Sequence, residues 1–457
     1  MPSKRPLEGV RVADLTAMWA GPYATMLLAD LGAEVIKVES PKAWDNIRTL
    51  VPPPVAPGEH WWNTSSYFHE YSRNKKSLTL DLGDPRGKEL FGKLVAECDI
   101  VIENFRTDVP EKLGLTYDWL RAQNEQIIVV GMAGFGKTGP DAEAMGYGPI
   151  IEQMSGMTAL SGYGDDGVPF KTGISYGDPI AGIGAASSAI VALIQRRKTG
   201  QGQYIDLAQR EIMTAQLGEA FMDWCMNERL PQHQGNGHDW MAPHNAYRCA
   251  ARPADPNQDP LQPDLSDDQW VAIAVRTDAE WDGLVRVMGN PEWASAEEYS
   301  DQMYRWDNRE SLDQHMESWT RGLDKDAVFQ ACLAEQVPCG PVLHTRDLFE
   351  DEQFAARNFF EEVSHEEHGA WMIHGWVWRA TDAGPCVMFK APDFGQHNAE
   401  ILGGLMGLSE AELAELAEAG IIADAPAATP TASEMAAAVE AVASEAATSE
   451  SAASGSD

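Results

Sequence analysis

The chain has 457 residues, of which 44% are hydrophobic and 23% are charged, so it has enough apolar side chains to bury a sizeable core. Its 70 acidic and 34 basic residues give a formal net charge of −36, which argues against nucleic acid or an anionic membrane as a partner. Six scattered cysteines form no C-x-x-C pair and have no close histidine at a metal spacing, so we expect reduced thiols and no metal site.

Up to residue 210, short β-rich runs alternate with helical segments. We predict strands at residues 10–15, 34–38, 100–103, 127–131 and 204–207. We predict helices at residues 23–31, 85–97, 117–124, 150–160 and 179–197. This order is typical of a parallel sheet covered by helices, in which ligands bind at the carboxyl ends of the strands. We therefore expect a ligand near the loops that start at Thr16, Glu39, Asn104 and Met132.

The sequence changes character after residue 225, which divides it into domains. Residues 226–335 predict a smaller α+β domain, with a Pro-, Asp- and Gln-rich surface insertion near residues 251–268. Residues 336–422 are predicted to return to the large domain that residues 1–225 begin. The acidic, Ala-rich tail at residues 423–457 has almost no large apolar side chains, so we predict that it is disordered.

The sequence also predicts a location in the cell. The start has no run that resembles a signal-peptide core, and the longest weakly polar stretch, residues 181–194, is shorter than a membrane span needs. We therefore predict a soluble cytoplasmic protein with no membrane partner.

Two nucleotide-binding patterns overlap after the strand predicted at residues 127–131. Residues 131–138 fit a P-loop, and residues 134–139 fit a dinucleotide fingerprint. Both patterns need a helix to begin at once, so that its amide groups face phosphate, but Pro140 would break the first turns of that helix. We interpret the segment as a glycine-rich loop, with a nucleotide hydrolase as a distant alternative.

The segment GISYGDPIAG at residues 173–182 predicts a helix start, with Asp178 as the N-cap and Pro179 at the first helical position. Capping alone explains these residues. The same geometry would also keep the Asp178 carboxylate ionised beside free amide groups, which suits a carboxylate nucleophile. From the residues alone, both interpretations stay open.

Basic residues are scarce, so the clusters at residues 73–76 and 104–106, together with Lys112, stand out. They fit a solvated surface. They also fit a site for the phosphates of a bulky anionic ligand, because phosphate is held by such clusters.

Taken together, these segments resemble the class III coenzyme A transferase family, which includes formyl-CoA and carnitine CoA-transferases and the α-methylacyl-CoA racemases. The resemblance extends as far as residue 422 and rests on LEGVRVADLTAMWAGPYATMLLADLGAEVIKVESP, SRNKKSLTLDL, DIVIENFRTDVPEKLGLTYDWL, GMAGFGKTGP, GISYGDPIAG, RRKTGQGQYIDL, PCGPVL and GQHNAEILGGLMGLSEAELAEL. It implies an α/β fold in which a Rossmann-like large domain and a smaller α+β domain belong to an interlocked dimer. The nucleotide patterns then become the family's own GFG-x-x-GP loop.

The resemblance also implies chemistry. Asp178 falls on the family's nucleophilic aspartate, which attacks an acyl-CoA donor and then carries CoA as an aspartyl thioester to a carboxylic acid acceptor. CoA thioesters are substrates here, and no tightly bound cofactor or metal is implied. The donor is expected to be succinyl-CoA, and the partner is a second identical subunit or a related one. The family's CoA contacts fall on Trp19, Ala20, Tyr71, Ser72, Arg73, Asn74, Lys75, Asn104, Phe105, Arg106 and Lys112.

Four departures narrow the expected activity. Ser40 and Trp19 stand where formyl-CoA transferases have Arg and Gln, and GNGHDWMAPHNAY replaces their four-glycine loop, which disfavours formyl or oxalate substrates. Tyr147 stands where the racemases have a histidine base, so CoA transfer is favoured over racemisation or isomerisation. A non-catalytic CoA-binding subunit is the remaining alternative. The 15 tryptophans hint at a large or aromatic acyl group, with Trp19, Trp61, Trp62 and Trp240 as candidate walls.

Overall fold

The computed structural model describes residues 5–49, 60–163, 168–231, 233–253, 265–367, 369–381 and 384–427. Two compact units make up the chain. The first unit consists of Met1–Thr158, Lys171–Leu230 and Arg357–Asp457, and the second consists of Ala159–Phe170 and Pro231–Ala356. Most of the expected insertion and nearly all of the expected tail lie outside the described residues.

A six-stranded parallel sheet forms the centre of the first unit. Its elements up to residue 227 are β1 (Arg11–Asp14), α1 (Ala20–Asp30), β2 (Glu34–Glu39), α2 (Ser66–Ser72), β3 (Lys75–Thr79), α3 (Pro85–Ala96), β4 (Ile100–Glu103), α4 (Val109–Leu113), α5 (Tyr117–Gln123), β5 (Ile128–Gly131), α6 (Gly148–Met154), α7 (Gly177–Thr199), β6 (Gln203–Asp206), α8 (Gln209–Thr214) and α9 (Gly218–Asn227). The strand order is β3-β2-β1-β4-β5-β6, the Rossmann order, and each neighbouring pair is parallel. The order reverses between β1 and β4, so the loops after these two strands flank the switch point.

The predicted sheet agrees well with the observed one. All five predicted strands are present, with ends that differ by at most one residue. Strand β3 is not among the predicted strands, because its sequence KKSLT starts with two lysines and has no apolar alternation. Lys75 is nevertheless completely buried, because its ammonium group pairs with the buried Asp14 of β1. A long-range partner, which the local pattern cannot reveal, makes this strand possible.

Apolar side chains cover both faces of the sheet. On one face, α1 and α7 pack against the strands, with Ala24, Leu28, Ala185 and Ala189 in the buried cluster. The small residues of α7 let the two helices approach closely, and a Cβ at Gly182 would lie only 2.8 Å from the carbonyl oxygen of Ala20. This close packing brings the first turns of α1 and α7 together.

The opposite face is covered partly by the end of the chain. Side chains of α3 and α5 pack there with Ile401, Leu402, Ile421 and Ile422. The C-terminal part of the first unit contains the antiparallel hairpin described below, a π-helical segment at Ala399–Leu405 and a final helix at Glu410–Glu418. The end of the chain therefore helps to build the same core as the beginning.

The second unit has its own sheet and core. Its elements are β7 (His244–Arg248), β8 (Trp270–Ala274), α10 (Asp278–Val287), α11 (Gln302–Asp307), α12 (Arg309–Thr320), α13 (Lys325–Ala334), β9 (Cys339–Pro341), α14 (Thr345–Glu350) and α15 (Glu352–Ala356). The three strands are antiparallel in the order β7-β8-β9, and the core includes Tyr247, Trp281 and Met316. The chain then returns to the first unit with the antiparallel strands β10 (Phe360–His365) and β11 (Gly369–His374).

Helix α7 is longer than the sequence analysis indicated. It is long and apolar enough to cross a membrane by length and composition, a test that the core helix of a soluble protein also passes. Its buried residues, Ala181, Ala185 and Ala189 among them, belong to the core under the sheet. Other residues of α7, including Val191, are exposed, so only part of its surface packs in the core.

Candidate active site

Asp178 lies in the first turn of α7, but it is not the N-cap that the sequence predicted. The helix begins at Gly177, and Tyr176 before it already has helical torsion angles (φ −58°, ψ −27°) and makes no side-chain cap. The N–H of Asp178 donates to the carbonyl oxygen of Ser175 at 3.1 Å. Its carboxylate accepts a backbone hydrogen bond from Ala20, the first residue of α1. The side chain is therefore free of a capping role and bridges the starts of two packed helices.

The Asp178 carboxylate opens into a cavity of about 310 Å³ at the switch point of the sheet. The cavity is lined by Met18, Trp19, Asn104, Phe105, Arg106, Gly134, Ala144, Met145, Gly146, Tyr147, Gly148, Ile151, Asp178 and Gln209. Loops after three neighbouring strands, β1, β4 and β5, supply most of these residues. Four of the predicted CoA contacts thus share one cavity with the predicted nucleophile.

Burial is the main influence on the ionisation of Asp178. It raises the pKa of the carboxyl to about 6, while the hydrogen bond from Ala20 lowers the pKa and the charge of Glu152 raises it further. At pH 7 most of the carboxylate is ionised. A carboxylate with a raised pKa is more basic than ordinary aspartate, which favours nucleophilic attack.

A buried ion pair shapes the loop that precedes Ala20. The N–H of Met18 donates to Asp45 Oδ1 at 2.9 Å, and Lys37 Nζ donates both to Asp45 Oδ2 and to the carbonyl oxygen of Thr16, each at 2.8 Å. Met18 has φ of +67°, a left-handed conformation that costs free energy for a residue with a side chain. The Lys37–Asp45 pair therefore holds this backbone in place just before Trp19, which lines the cavity, and Ala20, which donates to Asp178.

The loop after β4 is tied to the same segment. Asn104 Nδ2 donates to the carbonyl oxygen of Ala17 at 2.8 Å, and Asn104 Oδ1 accepts from the N–H of Ala17 at 2.9 Å. These two hydrogen bonds resemble those between paired residues of neighbouring β-strands, with the Asn104 side-chain amide in place of one backbone. Asn104 thus joins the two loops at the switch point.

Two of the predicted phosphate-binding cations lie near each other in the first unit. Arg106 forms a bidentate pair with Asp108, at 2.6 Å for each bond, and Lys112 Nζ reaches the same carboxylate at 2.5 Å. Arg106 and Lys112 together lower the pKa of Asp108. Arg106 lines the cavity, whereas Lys112 is exposed and outside its lining. These three residues have a formal charge of +1, and the charge of Glu143 also acts on Arg106.

The predicted contacts at residues 73–75 are buried and already have protein partners. Arg73 pairs with Asp30 at 2.8 Å, and Asn74 Nδ2 donates to the same carboxylate at 2.7 Å. Lys75 Nζ lies 3.1 Å from Asp14 Oδ2, and its burial lowers the lysine pKa to about 8. These side chains bind other parts of the fold in this structure.

Tyr71 supports the cavity wall from behind. Its ring stacks on Trp19 with 5.6 Å between ring centroids, and it does not line the cavity itself. The Trp19 Nε1 atom is buried and has no hydrogen-bond partner in the described part of the chain. Ser72, another predicted contact, is buried as well. Tyr71 therefore lies one layer behind the cavity surface.

The other tryptophans proposed as pocket walls lie elsewhere. Trp61 and Trp62 are buried in a separate cluster with Phe394, and Trp240 belongs to the second unit. None of these three tryptophans is in the cavity lining. Only Trp19 among the four lines the cavity.

The glycine-rich loop after β5 is not a nucleotide cradle in this structure. The next helix, α6, begins only at Gly148, so no helix N-terminus faces the loop directly after the strand. The N–H of Lys137 donates to both carboxylate oxygens of Asp206, at 3.0 Å each. An amide group that a P-loop would offer to phosphate is bound to a carboxylate.

The sequence analysis missed three side chains that shape the site, Lys37, Asp45 and Glu152. Glu152 is a charged residue in the otherwise apolar run GPIIEQM, which was the available signal. Lys37 is likewise a charge in the middle of the apolar strand EVIKVE. Among the described residues, no group of three or more His, Cys, Asp or Glu side chains is arranged to hold a metal ion.

Comparison with known proteins decides the family. A family model described as CoA-transferase family III matches residues 7–398. The chain belongs to this family. It is therefore an acyl-CoA:carboxylate CoA-transferase, as the resemblance indicated, and the two nucleotide-binding patterns are coincidental.

Several relatives cover nearly the whole of this CoA-transferase. A succinyl-CoA:D-citramalate CoA-transferase of Chloroflexus aurantiacus is 34% identical over 90% of this chain and 97% of its own length. A succinate:glutarate CoA-transferase of Agrobacterium fabrum is 32% identical over 89% and 97%. A CAIB/BAIF family protein from Brucella suis has a solved structure with a TM-score of 0.78 and 32% identity, covering 88% of this chain and 100% of that one.

Proposed function

We propose that this CoA-transferase moves CoA from succinyl-CoA to a carboxylic acid through a covalent thioester on Asp178. The observation that supports this proposal is the Asp178 carboxylate, which opens into the switch-point cavity and accepts a hydrogen bond from Ala20. Relatives named for succinyl-CoA or succinate support the choice of donor. Their named acceptors, among them citramalate, glutarate and mesaconate, are the first acids to test.

The proposed reaction begins with attack of an Asp178 carboxylate oxygen on the thioester carbonyl of succinyl-CoA. An O–C bond forms, the C–S bond breaks, and CoA leaves as the thiolate with the electron pair. The thiolate then attacks Cγ of Asp178 in the mixed anhydride and expels succinate. The acceptor carboxylate repeats the two steps in reverse on the aspartyl-CoA thioester, and the nucleophile is regenerated with no net transfer of a proton.

In each step, negative charge develops on the oxygen bound to the carbon under attack. That carbon is either Cγ of Asp178 or the thioester carbon of the donor. The N–H of Ala20 already donates to the Asp178 carboxyl, so it is positioned to stabilise the oxyanion that forms when Cγ is attacked. The loop clamped by Lys37 and Asp45 holds this donor in place before the reaction begins. We assign the rate advantage chiefly to this fixed donor.

We propose that CoA enters along the loop after β4. Asn104, Phe105 and Arg106 line the cavity beside Asp178, and the cationic cluster of Arg106 and Lys112 suits the phosphate groups of CoA. We assign Trp19 to the acyl end of the substrate, because its ring lines the same cavity. Tyr71 supports that wall, and we assign the buried residues Ser72, Arg73, Asn74 and Lys75 to the stability of the fold.

We further propose that the chain works in the cytoplasm as an interlocked dimer or with a related subunit. Large apolar side chains are exposed on the first unit, including Val191 at 62% on α7 and Met226 at 73% on α9. Large exposed apolar side chains of this kind are consistent with coverage by another protein surface. A relative named as the alpha subunit of a succinyl-CoA:L-malate CoA-transferase supports the heteromeric form. Light scattering of the pure protein measures the number of subunits.

The proposal is tested by intact-protein mass spectrometry after incubation with succinyl-CoA. We expect a covalent adduct on the native protein that hydroxylamine removes, and no adduct on Asp178→Ala. Asp118→Ala, which removes an exposed carboxylate from α5, serves as the matched control and keeps the adduct. An adduct that persists in Asp178→Ala would overturn the assignment of the nucleophile.

A further inference from the structure

Glu152 is a buried acid that the proposed reaction does not use. It lies on α6 and is completely buried. One of its oxygens, Oε1, accepts the N–H of Thr172 at 3.1 Å and lies 2.9 Å from the hydroxyl of the same residue. The other oxygen, Oε2, is buried and has no hydrogen-bond partner among the described residues. An unsatisfied carboxylate oxygen in the interior costs free energy, so its retention calls for an explanation.

The helix that carries Glu152 packs directly on Asp178. Gly148 begins α6, and a Cβ at this position would clash with Asp178 Oδ2. Glu152 follows Gly148 by four residues, so both lie on the same face of the helix. Thr172, which Glu152 holds, lies six positions before Asp178 in the segment that leads into α7. This face of α6 therefore contacts Asp178 through Gly148 and contacts the segment before α7 through Glu152.

Few other charges face Asp178. Tyr71 of α2 is one titratable group near Asp178. The pKa of its phenol is raised mainly by burial and also by nearby acids, including Asp178. Arg106 lines the same cavity from the loop after β4, but its guanidinium is bound to Asp108. The described residues place no lysine or arginine in an ion pair with Asp178. Among the residues that the structure describes, Glu152 is a charged group that acts on Asp178 and raises its pKa.

We propose that Glu152 is a positioning residue for Asp178: it fixes the segment before α7 through Thr172 and presents a like charge that makes the nucleophile more reactive. This inference rests on the proposed function. When Asp178 attacks the thioester, its negative charge moves through the breaking C–S bond to the sulfur of CoA. The repulsion between the two carboxylates is relieved in that step, so it favours the forward reaction over the resting anion. No proton moves to or from Glu152.

The test compares Glu152→Gln with Thr172→Val by following adduct formation from succinyl-CoA as a function of pH. Gln keeps the shape and the acceptor for Thr172 but removes the charge. We expect its acid limb to move to lower pH by about 0.5 unit or more and its plateau rate to fall about twofold. Thr172→Val keeps the charge and removes the hydroxyl that contacts Glu152 Oε1 and the carbonyl oxygen of Ile174. We expect its acid limb to stay where the native limb lies, whatever the change in rate.

The outcomes separate this inference from the proposed function. An unchanged acid limb in Glu152→Gln overturns the role of Glu152 while the Asp178 adduct still stands. Absence of any Asp178 adduct in the native protein overturns the proposed function itself. If Glu152→Gln does not fold, Glu152→Asp takes its place: it keeps the charge, so a native acid limb with a slower rate supports the inference, and a limb displaced to lower pH overturns it.

Discussion

Replacing Asp178 by Asn is expected to stabilise the protein at alkaline pH while abolishing transfer. Folding raises the pKa of this carboxyl from 3.8 to about 6. A group with a raised pKa in the folded state gives its full stabilisation below its unfolded pKa, near pH 4, and loses it as the pH rises through 6. Asn stays neutral at every pH and can still accept the hydrogen bond from Ala20. Above pH 6 the native protein loses stability because its buried carboxylate is ionised, and the variant does not have this loss.

The size of the effect follows from the shift. About two pKa units correspond to ~3 kcal/mol between the two protonation states. Asp178 lines the cavity and keeps some contact with solvent, which screens its charge, so we expect about half of this, ~1.5 kcal/mol. Asp178→Asn should be more stable than the native protein by ~1.5 kcal/mol at pH 8 and equal to it at pH 4.

Urea unfolding followed by tryptophan fluorescence at several pH values measures this difference, with Asp118→Asn as the control on an exposed carboxylate. Taking the difference between variant and native protein cancels the titration of all other groups. A variant no more stable than the native protein at pH 8 would refute the reasoning. So would a stability difference that is the same at pH 4 and at pH 8, because the cost would then not come from ionisation.

Three further substitutions separate structural from functional cations and test the clamped loop. Lys75→Met leaves Asp14 buried without its partner and should cost about 3 kcal/mol or more, seen as a lower melting temperature; native-like melting would contradict the buried pairing. Arg106→Met should raise KM for succinyl-CoA about tenfold at an unchanged melting temperature, and an unchanged KM would remove this residue from the CoA site. Asp45→Ala should remove the acceptor that holds the Met18 N–H and lower kcat about tenfold with a smaller change in KM, a split that steady-state kinetics would show or exclude.

The sheet could be predicted from the sequence where strands carry a local pattern. The five strands with apolar runs were found, because parallel strands covered on both faces are rich in Val and Ile. The missing strand, β3, begins with Lys75, whose burial depends on Asp14 sixty-one positions earlier. A pattern within the strand does not contain that information.

The site was predictable to the extent that it lies at the switch point. Asp178, Trp19 and residues 104–106 were named in advance and line one cavity. The basic cluster at residues 73–75 has the chemistry of a phosphate site, but its acidic partners lie far away in the sequence. Arg73 and Lys75 were selected because basic residues are scarce, but in the structure both form buried ion pairs. Glu152 was missed for the converse reason, since one acid in a short helix looks like surface.

The capping role of Asp178 was predicted incorrectly because Asp-Pro is so common at helix starts. In the structure the helix begins at Gly177, two residues before the predicted first helical residue Pro179, and Tyr176 before it is already helical. This small shift turns the carboxylate away from its own helix and toward Ala20. A difference of two residues thus separates a capping aspartate from one that faces a cavity.

The most direct test of the central claim locates the thioester on the chain. The protein is incubated with succinyl-CoA, reduced with borohydride, digested, and its peptides are sequenced by mass spectrometry. Borohydride reduces an aspartyl thioester to the alcohol, so the account predicts that homoserine replaces Asp178 and that no other carboxylate is reduced. Reduction at a different residue, or continued CoA transfer with Asp178 unmodified under these conditions, would contradict it.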